Sequence, residues 1–211
     1  TIVFSFILKT NIERYYLYLF VALIPWIFFS SSITVGSASI VAQKDLIKKI
    51  YFPRMVIPIS YVTSSFVNML LCFIVIFAVI IVSGAGINFL ALLTLPVIML
   101  VEYILALGMA MLTSAITVYF RDLEHILGIV TMAWMYMTPI MYDKSIVPEN
   151  LMPIFNLNPM THVIECYRAV LYEKKIPDLT TLLSAAGLGI LILIVGILVF
   201  NKLQKRFAEE L

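Results

Sequence analysis

Five stretches of this chain run for 17 residues or more with almost no charge, at about 17 to 42, 55 to 82, 89 to 118, 126 to 142 and 179 to 200. Each is long enough for an α-helix to cross a hydrocarbon layer of roughly 30 Å. A further apolar stretch, IVFSFIL at 2 to 8, is too short to span and is expected to be the outer end of a span whose beginning is missing. The predicted fold is therefore an all-α integral membrane protein, a single domain over 1 to 211 with about six transmembrane helices, the first truncated. No basic start with a small-residue cleavage site marks a signal peptide, and no internal repeat or low-complexity tract divides the chain.

The connectors carry the rest of the pattern. In QKDLIKKIYFPR, residues 43 to 54, Leu46, Ile47, Ile50 and Tyr51 share one helical face, Lys44, Asp45, Lys48 and Lys49 lie around it, and Pro53 ends it. Such a segment either rests on anionic lipid, at about 1 kcal/mol per lysine near the surface, or offers a surface for a cytoplasmic motor subunit to push. The longer connector, 143 to 178, holds an apolar stretch broken by Pro153 and Pro159. Asn158 before Pro159 reads as a helix N-cap with proline at the first helical position. Met160, Val163, Ile164, Tyr167 and Leu171 then form an apolar stripe, with Thr161, His162, Glu165 and Arg168 on the other face. Two readings stay open: an amphipathic helix at the outer interface, or a re-entrant pair forming an outer gate whose broken backbone is covered by protein or water. Lys and Arg are more than twice as dense in 43 to 54, 121 to 125 and the tail 201 to 211 as on the opposite side, which places that side and the C-terminus in the cytoplasm.

Composition narrows the function. With 63% hydrophobic residues, 12% charged residues and a mean hydropathy of +1.07, the chain cannot make a water-facing globule. A net charge of +2 gives no reason to expect a nucleic-acid partner. None of the eight glycines precedes lysine, so no glycine-rich phosphate loop is present. If ATP with its magnesium drives this protein, another polypeptide binds them. Cys72 and Cys166 have no metal or redox spacing, and His125 and His162 are isolated, so no catalytic residue, metal or cofactor is assigned to this chain.

Inside the apolar runs three features stand out. Small residues in SSSITVGSAS, 30 to 39, suit close helix contact within or between subunits. Trp26 and Phe28 in one run, with Trp134, Tyr136 and Tyr142 in another, either anchor and pack the helices or form flat faces along which sugar rings slide. Glu102 is the one carboxyl deep in a long run, either a hydrogen-bonding group facing the bundle or a proton relay of an ion-coupled secondary transporter.

IVAQKDLIKKIYFPRMVIPIS, ITVYFRDLEHIL at 116 to 127, TPIMY at 138 to 142 and NLNPMTHVIECYRAVLY, in this order, resemble the permease subunits of ABC exporters of O-antigen, capsule and teichoic acid. The resemblance covers nearly the whole chain. It implies a homodimer around a central pathway for a lipid-linked glycan in the bacterial inner membrane, each copy docked on one of two ATP-binding subunits. It makes 43 to 54 the coupling helix, with Leu46, Ile47, Lys48, Lys49, Ile50, Tyr51 and Arg54 at the ATPase. Arg121, Asp122 and Glu124 become a second ATPase-side connector, or pair locally, and Asn158, Pro159, Glu165 and Arg168 belong to the outer gate. The family begins with an amphipathic helix and a complete first span, so a trimmed chain is expected. Two other classes compete: a secondary transporter, which should show inverted repeats, and a membrane-embedded glycosyltransferase, which needs acids in a larger water-side loop than this chain offers.

Overall fold

Four helices in the computed structural model are long and apolar enough to cross a membrane: Tyr15–Ala42, Val56–Val82, Phe89–Thr117 and Leu179–Arg206. The structure describes residues 13–50, 52–84 and 86–210, so the stretch at 2 to 8 and Tyr51 lie outside the described residues. In chain order the helices are α1 (Tyr15–Ala42), α2 (Lys44–Lys49), α3 (Val56–Val82), α4 (Phe89–Leu92), α5 (Leu95–Thr117), α6 (Leu123–Tyr136), α7 (Met152–Leu157), α8 (Pro159–Leu171), α9 (Leu179–Leu203) and α10 (Phe207–Glu210), with no strand among the described residues. The all-α prediction holds.

The bundle has two ends. At one, Tyr15 and Tyr18 donate their hydroxyls to the carbonyls of Met141 and Tyr142. At the other, Tyr119 donates to the carbonyl of Leu203 at 3.0 Å. Helices α1, α5 and α9 run from the Tyr15 end to the Ala42 end, and α3 and α6 return.

Helix α5 is central, and small residues let its neighbours approach. A Cβ on Gly108 would stand 2.6 Å from the Leu193 Cα of α9, one on Gly196 would strike the Gly108 carbonyl, and one on Gly36 of α1 would lie 2.9 Å from the Ala110 Cβ. In lipid, where apolar tails compete equally for apolar side chains, such close backbone packing is what holds helices together. The small-residue stretch of α1 thus serves contact within the chain: Ser32, Gly36, Ser37 and Ser39 are buried. Helices α3 and α9 turn long apolar faces outward, Leu71, Ile74 and Val82 on one and Leu183, Leu191 and Leu198 on the other, as a lipid solvent requires.

Two segments differ from expectation. The run at 126 to 142 is helical only over Leu123–Tyr136, 14 residues or about 21 Å, and continues as turns to Tyr142. Pro139 has no N–H to carry a helix on. Helix α6 and these turns still join the two ends of the bundle. Helix α8 does not rest on the bundle; it packs into it, against α1, α5 and α9. Its apolar stripe is buried as expected, but so are Thr161 and Arg168 of the opposite face, at 0% and 6% exposure.

Candidate functional site

A helix that stops inside a bundle leaves carbonyls unpaired, and leaving them so is costly. After α6, side chains from α1 and α8 take them. Arg168 donates to the Ile140 carbonyl at 2.6 Å, and its guanidinium lies 3.6 Å over the Tyr18 ring. Tyr15 and Tyr18 reach the next two carbonyls at 2.8 and 3.0 Å, and Tyr142 donates its hydroxyl back to Tyr136 at 2.8 Å. Asn158 caps α8 by accepting from the Met160 N–H at 3.1 Å, while its amide donates to the Thr138 hydroxyl at 2.9 Å. Asn158 and Arg168 therefore join α8 to the break in α6. Pro159 is the first residue of α8, as expected. Glu165 pairs with Lys144 at 2.8 Å and lies 3.9 Å from the His162 ring. Beside this network is a cavity of about 420 Å³ lined by Tyr18, Asp143, Lys144, Glu165, Arg168 and Asp178 among others. The Cys166 thiol is 1% exposed, and burial pushes it up to about 12.

Glu102 is fully buried and accepts a hydrogen bond from the Tyr167 hydroxyl at 2.6 Å through Oε2. Its Oε1 has no partner among the described residues, and no cation pairs with it there. Glu102 thus faces the bundle.

At the Ala42 end, α2 stands between α1 and α3. Leu46 and Ile50 are 40% and 56% exposed, and Lys48 and Lys49 are exposed beside them. Ile47, expected on the docking face, turns inward at 6% exposure, into a cluster with Ile40, Ile57, Met111, Phe200 and Phe207. Arg54, expected near a docking rim, instead donates to the Gln204 carbonyl, 6.0 Å from the centre of the Phe207 ring. Both departures have one cause: the chain folds its own tail under the connector, and the tail offers Ile47 an apolar pocket and Arg54 a carbonyl. Arg121, Asp122 and Glu124 are exposed at this same end, with no ion pair to one another among the described residues.

The aromatic residues divide. Trp26 and Phe28 are core residues, 3% and 2% exposed, which fits the packing alternative for these two. Trp26 and Phe29 both pack edge-on against Trp134, with ring centres 6.5 and 5.3 Å away, and Phe28 meets Phe66 at 5.6 Å. Tyr136 is 62% exposed, and Trp134 and Tyr142 are half-buried.

A family model described as ABC-2 type transporter matches residues 1–172. The chain belongs to this family. It is 33% identical over 99% of its length to the O-antigen export system permease protein RfbA of Klebsiella pneumoniae, covering 80% of that protein. It is 29% identical over 100% of its length to a Myxococcus xanthus protein of the same name, covering 81% of it. The permease is thus a membrane subunit of a transporter. Among its described residues no group of His, Cys, Asp and Glu is placed to hold a metal ion.

Sequence reasoning missed the roles of Tyr15, Tyr18 and Thr138 at the break in α6. The available signal was Pro139 inside an apolar run, with tyrosines at the start of another.

Proposed function

We propose that this permease is the membrane half of an ATP-driven exporter of lipid-linked polysaccharide of the O-antigen or teichoic-acid kind. Two copies pair around the pathway in a bacterial inner membrane, with the C-terminus in the cytoplasm, and each docks on a separate ATPase that holds ATP and magnesium. The observation that carries this reading is the likeness along the whole chain to O-antigen export permeases. Five crossings are inferred among the described residues: the four long helices, and α6 with its turns.

In this reading α2 is the coupling helix, with Leu46 and Ile50 entering a groove of the ATPase and Lys48 and Lys49 at the rim. Arg121, Asp122 and Glu124 meet the ATPase beside it. Ile47 and Arg54 fasten α2 to the bundle, so that a push on the connector reaches α1, α3 and the tail. Trp134, Tyr136 and Tyr142, with Trp26 and Phe28 backing them, border the sugar pathway. Helices α7 and α8 form the re-entrant outer gate, with Asn158, Pro159, Glu165 and Arg168 in it. The burial of both faces of α8, and the satisfaction of the broken backbone next to it, support that role.

Co-purification tests the reading. The permease extracted in mild detergent should bring down an ATP-binding subunit in equal amount, and deleting the pair should remove a surface glycan. Transport driven by an ion gradient with no ATPase, and abolished by Glu102→Gln, would instead make this a secondary transporter.

A further inference from the structure

We infer that Glu102 and Tyr167 form the latch that holds the outer gate against the body of the permease. This rests on the gate reading of α8 and adds its fastening. Helix α8 lies between two backbone breaks: Asn158, extended at its start, and Lys174, at a positive φ of 59° just beyond its end. It can therefore move as a rigid piece. Its polar ties run to two kinds of neighbour. Asn158 and Arg168 bind the turns after α6, a segment outside any helix. Tyr167 binds Glu102 on α5, which the glycine contacts at Gly108 and Gly196 lock to α9. Among the described residues this is the one side-chain hydrogen bond from α8 to the α5–α9 frame. Phe73 of α3, at 5.5 Å, closes the Tyr167 ring into its pocket.

A buried phenol and carboxyl at 2.6 Å, with both side chains at 0% exposure, make a bond that is strong while closed and is lost entirely once α8 slides by a few ångströms. The partner apolar contacts of the stripe, by contrast, decay gradually with distance. That all-or-none character makes a closed gate and an open gate two distinct states. Glu102 is accordingly a positioning residue, and its carboxyl takes no part in carrying the substrate.

The Cys166 thiol, adjacent to Tyr167 and 1% exposed, reports the gate directly. In membranes holding the permease with its ATPase, and with Cys72 replaced by alanine, reaction of Cys166 with a membrane-impermeant maleimide is timed without nucleotide. Tyr167→Phe removes the donor at constant volume and Glu102→Leu removes the acceptor from the other side. Each should raise the labelling rate about tenfold, the worth of a buried hydrogen bond. Glu102→Gln keeps an acceptor and should label like the parent. Export should survive in Glu102→Gln and leak in the other two. Parent-like labelling in both Tyr167→Phe and Glu102→Leu, in protein that still accumulates and binds its ATPase, would overturn the latch. So would equal opening by Glu102→Gln. The gate reading is judged separately: it fails if ATP leaves Cys166 labelling of the parent unchanged, whatever the latch variants do.

Discussion

At the scale of single residues the permease is governed by two devices, glycines that bring backbones together and long polar side chains that reach across to unpaired carbonyls. Gly196 faces the Gly108 carbonyl so closely that any side chain must push α5 and α9 apart. Gly196→Ala should destabilise the protein by about 1–3 kcal/mol, the usual cost of overpacking, and lower its unfolding temperature in detergent; an unchanged midpoint would contradict the packing described. The thiol of Cys166 gives a pH-dependent readout. The thiolate is the reactive form, and burial pushes the Cys166 thiol up to about 12. Its labelling should therefore be slow at neutral pH and keep rising with pH well beyond about 8.5, where an ordinary thiol levels off. An open gate should bring the rise down toward the ordinary thiol range. Fast labelling at pH 7 in the resting protein would show α8 to be exposed. Much of this scale was closed to sequence reasoning. The stripe at Met160, Val163, Ile164, Tyr167 and Leu171 is legible because it repeats at helical spacing. Arg168 falls on the polar face by the same spacing, yet is buried because Ile140 and Tyr18, far away in the chain, supply a carbonyl and a ring.

At the scale of elements, α2 shows how an amphipathic connector can face two ways. Periodicity places Leu46, Ile47, Ile50 and Tyr51 on one side, and the tail then captures Ile47. The two roles separate by mutation. Ile47→Ala should cost roughly 2 kcal/mol or more of stability through the cavity it leaves, measured by thermal unfolding of the permease alone. The pair Leu46→Ala, Ile50→Ala should leave that unfolding unchanged and weaken ATPase binding by about tenfold or more, measured by titration in nanodiscs. Equal effects of both variants on unfolding would remove the distinction. Helix α6 teaches a related lesson. Its apolar run reads as a full crossing, but the helix ends before Pro139, and Tyr15, Tyr18 and Arg168 take carbonyls of the turns that follow. Sequence periodicity records the break, through the proline, and not the side chains that repair it.

At the scale of the whole molecule, the all-helical membrane architecture was readable from the apolar runs alone, since length and charge exclusion suffice to mark helices that cross a bilayer. What the runs do not encode is which faces meet, because in lipid the choice depends on small residues and buried polar pairs whose partners are set by the fold. The proposed reading would account for the missing phosphate loop: energy would enter from another subunit, docked at the end where α2 and the exposed Arg121, Asp122 and Glu124 lie. Crosslinking in native membranes should yield a homodimer of the permease, and monomers alone would leave the pathway without its second wall. The most direct test of the account is a transport measurement in vesicles that contain the permease, its co-purifying ATPase and a lipid-linked glycan on the cytoplasmic face. ATP added on that face should move the glycan to the opposite leaflet, where a glycan-binding probe detects it, at a rate that falls to background when the Leu46→Ala, Ile50→Ala pair is present. Movement that proceeds without ATP, or that is indifferent to those two substitutions, would contradict the account.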